Sequence, residues 1–165
     1  MILFLDTSYL FPYVGIDLYD DGKKKWNLVD LKKLMKLDCE ILYCDLSLFE
    51  IYAKLLKLTI KGILNLNLDE IHSNLVLLSK SSRLTKVEFL PQILEQNILK
   101  KLRKIHPDTL DVIIFYLSVG FADYFLTMDD TLKNAISSSK ICMEWINNQN
   151  SQFQILVNKK HFEKL

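Results

Sequence analysis

A chain of 165 residues, half apolar and a quarter charged, can bury a sizeable core and has the composition of one ordinary globular domain spanning 1–165. Its formal net charge of +1 excludes a uniformly basic protein that coats nucleic acid, so any polyanion site has to be local. The three cysteines, Cys39, Cys44 and Cys142, lack CxxC spacing or a Cys/His array, which excludes a zinc module and reads as reduced thiols in the cytoplasm.

Met1 to Leu5 is an apolar run that stops at Asp6-Thr7-Ser8, the signature of a buried parallel strand delivering its last residues to a site. It lacks a cationic stretch and is followed by Asp6 and Pro12, so it does not read as a secretory leader. Gly15 to Lys36, with Asp17, Asp20, Asp21 and Gly22, reads as a loop before a lysine-bearing amphipathic helix. Glu40 to Cys44 is a second strand. Leu48 to Leu58 and Asp69 to Leu78 repeat apolar residues at helical intervals. Val87 to Leu90, ended by Pro91, is a third strand, and Ile93 to Ile105 a helix with lysines opposite its apolar side. Leu110 to Val119 is apolar almost all round, as a buried helix is, while the longest apolar stretch, Val112 to Ala122, is too short to span a bilayer. Tyr124 to Thr127 and Phe153 to Val157 complete five strands. Strands alternating with helices predict an α/β three-layer sandwich around a central, mostly parallel sheet. With four glycines and three prolines there is no linker signal that would divide the chain.

Four carboxylates stand out. Asp6 ends the first strand, where ligands bind in open parallel sheets, although Asp before Thr-Ser is also good helix-capping chemistry. Glu50 lies three residues after Ser47, which fits a capping box as well as a site. Asp111 sits in the apolar helix, and a buried carboxylate needs a partner or a metal, although a helix begun by His106-Pro107-Asp108 also favours acids in its first turn through its dipole; Asp108 is assigned to that structural role. Asp129 follows the fourth strand, with Asp130 as its competitor. Acids crowded at one rim of the sheet would raise one another's pKa unless a cation intervenes, and oxygen-only ligands suit Mg²⁺ or Mn²⁺. His72, His106 and His161 show no ligand spacing and read as structural.

These residues fall in four short motifs: Ile2-Leu-Phe-Leu-Asp6-Thr-Ser, Asp45-Leu-Ser-Leu-Phe-Glu50-Ile, His106-Pro-Asp-Thr-Leu-Asp111-Val-Ile-Ile and Phe125-Leu-Thr127-Met-Asp129. In order and spacing they resemble the four acidic motifs of PIN domains, and a closing Lys160-His161-Phe162 is similar to many PIN C-termini. The resemblance covers nearly the whole chain. It implies an Mg²⁺- or Mn²⁺-dependent ribonuclease with Asp6, Glu50, Asp111 and Asp129 as catalytic metal ligands. Small stand-alone members resemble VapC toxins, which are restrained by an antitoxin and form homodimers. The chain departs from a minimal toxin in its extra residues around Gly15 to Lys36 and Ile60 to Lys86, and in its third motif, which lacks the small residues common after the Asp.

On this reading Asp6, Asp111 and Asp129 hold the metal, Glu50 orients or deprotonates water, and in-line hydrolysis leaves a 5'-phosphate. Ser8 and Thr127, ahead of Thr7, are expected to steady the carboxylates. Three lysine clusters are candidates for contact with RNA phosphates, Lys23 to Lys25, Lys32-Lys33 with Lys36, and Lys100, Lys101, Arg103 and Lys104, although a solvated helix or loop face is the plainer reading of each. Tyr9, Phe11 and Tyr13 are candidates for base stacking, or for core. Two other readings compete. An aspartyl phosphotransferase would use Asp6 as nucleophile but lacks the second Asp, since Ser8 occupies its place; a PIN-fold scaffold without catalysis would not need all four acids.

Overall fold

A computed structural model describes residues 1–65, 67–90 and 94–157. Five parallel strands, β1 (Ile2–Leu5), β4 (Glu40–Cys44), β5 (Thr85–Val87), β6 (Tyr124–Thr127) and β7 (Gln154–Val157), form one sheet in the order β5-β4-β1-β6-β7. Alternation along each strand builds two cores. Leu3, Leu5, Ile41, Tyr43 and Leu126 face one layer; Phe4, Leu42, Cys44 and Phe125 face the other. The first layer holds a 3-10 helix (Thr7–Val14) and helices α1 (Leu28–Leu34), α2 (Asp45–Ile60) and α3 (Leu68–Ser79). The second holds α4 (Gln96–Ile105), α5 (Thr109–Phe121), α6 (Asp130–Ser137) and α7 (Lys140–Gln149). The protein is thus an α/β/α sandwich around a parallel sheet, as the alternation of elements predicts.

From β1 the chain crosses to β4 on one side, and from β6 to β7 on the other. β1 and β6 are neighbours, so their following segments diverge and leave a crevice beyond their carboxyl ends. Asp6 and Asp129 follow these two strands.

Beyond small shifts at element ends, and the 3-10 helix and α7, which have no counterpart in the sequence expectation, the elements differ from it in three places. The tract read as a loop contains an antiparallel hairpin, β2 (Leu18–Asp20) and β3 (Lys23–Trp26). Its two-residue turn places Asp21 at φ 48° and Gly22 at φ 73°, the left-handed pair that an Asp-Gly turn supplies. Lys24 and Lys25 pair with Asp17 and Asp20, at 2.6 and 3.5 Å, so this lysine cluster is partly spent within the hairpin. The third strand is Thr85–Val87 rather than Val87 to Leu90, because Thr85, Lys86 and Val87 pair with Leu42, Tyr43 and Cys44, after which the Phe89 N–H turns to donate to Asp45 Oδ1. The helix expected from Ile93 begins at Gln96; Pro91, Ile93 and Lys160-His161-Phe162 lie outside the described residues.

Tyr9 belongs to the core and is not available for stacking. It is fully buried, with its ring edge-on to Trp26 at 4.8 Å, and the Trp26 indole donates to the Tyr9 carbonyl. Cys39, Cys44 and Cys142 are free thiols. Among the described residues no helix is long and apolar enough to cross a membrane.

Candidate metal centre

Asp6 leaves β1 in extended conformation and caps the 3-10 helix, its Oδ1 accepting the Thr7 N–H at 2.7 Å. Capping uses one oxygen only. Oδ2 accepts the Thr127 hydroxyl at 2.9 Å and the Ser8 hydroxyl at 3.4 Å. The two readings of Asp6, cap and site residue, therefore hold together. Asp129 behaves in the same way: Oδ1 caps α6 by accepting the Leu132 N–H at 2.9 Å, while Oδ2 faces His106. Asp130 is exposed in the first turn of α6.

Glu50 is not part of a capping box. Helix α2 begins at Asp45, two residues before Ser47, so Ser47 lies inside the helix with a buried hydroxyl and cannot cap it. Instead Glu50, only 2 % exposed, accepts the Thr7 hydroxyl on Oε2 at 2.6 Å and pairs through Oε1 with the Lys54 ammonium one turn on. Thr7 consequently joins Asp6 to Glu50, donating its N–H to one and its O–H to the other. In the sequence Thr7 ranks below Ser8 as a support for the carboxylates, because only the fold brings α2 over the 3-10 helix. Thr7→Val should cost about 1.5–3 kcal/mol, since it strips a buried carboxylate of a hydrogen bond. Urea unfolding of both variants checks this, with Ser8→Ala expected to cost less because its bond is longer and partly exposed.

Asp111 lies in the first turn of α5, and Asp108, expected inside that turn, is instead the cap: its Oδ1 accepts the Leu110 and Asp111 N–H groups. Immediately before, His106 is 5 % exposed, with Nε2 at 3.3 Å from Asp111 Oδ2 and 3.5 Å from Asp129 Oδ2. By its spacing in the sequence His106 reads as structural. The missed signal was its place five residues before Asp111, across the short turn that joins α4 to α5. Arg103 builds that turn, its guanidinium donating to the His106 and Pro107 carbonyls. This gives Arg103 an intramolecular task, while Lys100, Lys101 and Lys104 are exposed on α4. His72 is exposed on α3.

Asp6, Asp111 and Asp129, with Ser8 and Lys54, border one open polar cleft. Its electrostatics are strained. Burial, then the Asp111 charge, raise the Asp6 pKa from 3.8 to about 7, with Glu50 adding to the rise and Thr127 and Thr7 opposing it. Burial and the charges of Asp108 and Glu50 likewise raise Asp111, against the pull of His106 and Lys54. Burial works against the charge of Lys54, but its bond to Glu50 leaves the ammonium pKa raised. The cleft therefore carries more negative charge than its own cations offset, and its donors are carboxylate oxygens joined by one imidazole nitrogen. His106, Asp111 and Asp129 each offer a ligand atom, all within 4.8 Å of one another. Such a set fits a small divalent cation. Compared with known proteins, the sequence matches no family model and no curated protein, so the site stands on its geometry.

Proposed function

We propose that the protein is a divalent-metal-dependent endoribonuclease of the PIN kind, with a VapC-like toxin, held by an antitoxin and acting as a homodimer, as its finer form. The observation that carries the reading is the gathering of Asp6, Asp111 and Asp129 around one cleft at the crevice beyond β1 and β6, with Glu50 close enough behind it to raise the pKa of both Asp6 and Asp111. Acids so buried and so crowded are costly unless a cation completes them.

Asp6, Asp111 and Asp129 would hold Mg²⁺ or Mn²⁺. A bound dication supplies Lewis acidity, easing deprotonation of water and offsetting charge on the scissile phosphate. Glu50 is buried and fixed at both oxygens, so it would orient water or accept its proton once one of those oxygens is released. Thr127 steadies Asp6 and, by accepting the Asp129 N–H at 3.0 Å on the same oxygen, sets the spacing of two ligands.

Substrate shape follows from the neighbouring groove. Phe11, Ile16, Leu18, Leu55, Leu58 and Leu64 line an apolar trough rimmed by Lys54, Lys57 and Lys61, and Lys54 borders the acidic cleft as well. Apolar floor and lysine rim suit a single strand, bases down and phosphates on the ammonium groups.

Millimolar Mn²⁺ or Mg²⁺ should raise the melting temperature by roughly 5–10 °C, the mass-action effect expected near a hundredfold excess over Kd. Cleavage of single-stranded RNA should depend on the ion and stop with chelator. Absence of a thermal shift, or cleavage indifferent to chelator, would overturn the proposal. Growth arrest on induction, relieved by Asp6→Asn, would support the toxin form.

A further inference from the structure

We infer that His106 Nε2 is a metal ligand beside Asp111 and Asp129, and that the cleft therefore selects a first-row transition-metal dication such as Mn²⁺ over Mg²⁺. This rests on the metal-dependent reading above and adds to it the identity of the ion.

Ligands of one six-coordinate ion at about 2.1 Å lie about 3 Å apart when adjacent and about 4.2 Å apart when opposite. Nε2 is 3.3 and 3.5 Å from the two carboxylate oxygens, and the three ligand atoms span no more than 4.8 Å, so small side-chain adjustments suffice to share one ion. Among the described residues the imidazole has no other polar outlet: its side chain is 6 % exposed and Nδ1 is buried without a hydrogen-bond partner there, so the ring meets polar groups through Nε2, which points between two carboxylates.

The ring is held from behind by backbone. The His106 N–H donates to the Leu102 carbonyl at 3.0 Å, and Arg103 clamps the His106 and Pro107 carbonyls, which fixes the turn and hence the direction of the imidazole. A buried ring aimed at two carboxylates needs positive charge between them, from its own proton or from a metal ion. Charge balance favours the ion. Asp6, Asp111 and Asp129 border the cleft with the Lys54 ammonium, which is itself held by Glu50, so the acids outnumber that ammonium and a dication offsets the difference. Mg²⁺ prefers oxygen donors and sheds water reluctantly, whereas affinity of a mixed nitrogen and oxygen set rises along the transition series. One imidazole among carboxylates is thus a device for discriminating between cations rather than for attracting them.

Electron spin echo envelope modulation of Mn²⁺ bound to the full chain tests this directly. A ¹⁴N coupling of a bound imidazole is expected, replaced by a ¹⁵N signal when the wild-type chain is labelled at histidine, a comparison that needs no variant to fold. In parallel, His106→Gln and His106→Asn should weaken Mn²⁺ affinity tenfold or more, the scale seen even for outer-sphere losses, while Mg²⁺ affinity changes little. A Mn²⁺-induced melting shift without nitrogen coupling would overturn the ligand role of His106 and leave the metal-dependent reading standing. No shift with either ion would overturn both.

Discussion

Asp6→Asn should reduce metal-dependent cleavage roughly 10³-fold, the scale of losing one group that stabilises developing charge, and yet make the metal-free protein more stable at pH 8. The stability effect follows from linkage. Asp6 is an acid whose folded pKa, about 7, lies above its ordinary 3.8. Below about pH 4 both folded and unfolded chains keep the proton and no difference arises. Between about pH 4 and 7 the unfolded chain releases it while the folded one retains it, so folding becomes less favourable as pH rises; above about 7 the penalty is constant, on the order of 4 kcal/mol. The group is 4 % exposed, so solvent screens little of this. Urea unfolding of metal-free protein at pH 5 and pH 8 should show wild type weakening with pH and Asp6→Asn much less so. A divalent ion should restore wild type and not the variant. Equal wild-type stability at both pH values would remove the argument that burial and neighbouring charges strain this carboxylate.

Phe115→Ala should cost about 3–5 kcal/mol, the largest single loss expected in the second core. Phe115 is fully buried on α5, with its ring edge-on to Phe125 of β6 at 5.7 Å and to Phe153 at 6.0 Å. These contacts set the distance between α5 and the sheet. Because α5 carries Asp111 in its first turn and follows directly from His106, loosening Phe115 should also weaken metal binding although no ligand changes. Denaturant midpoints and Mn²⁺ titrations would read the two effects; a loss below about 1 kcal/mol would mean that the helix is held elsewhere.

The layers of the fold were legible because each buried strand is a short apolar run with an abrupt polar end, and α5 announces its burial by being apolar all round. The hairpin was less legible: Asp21-Gly22 is a strong turn signal, but Lys23 to Lys25 obscured the alternation on its second strand. Asp6, Asp111 and Asp129 could be drawn together from strand ends and helix starts. The supporting groups could not. Glu50 and Lys54 are a local pair one turn apart on α2, but Thr7 acquires Glu50 only when α2 crosses the 3-10 helix, and His106 meets Asp129 only when the turn after α4 doubles back; neither packing leaves a local pattern in the chain.

Asp6 and Asp129 each commit one oxygen to the helix that follows and leave the other for the cleft. Neither carboxylate can spin freely, since rotation would break a cap. The acceptors are therefore aimed before any guest arrives, their freedom having been surrendered when the chain folded. Capture of an ion then requires no ordering of loops, and its pace should follow how quickly the hydrated cation sheds water, giving slow entry for Mg²⁺ and fast entry for Mn²⁺.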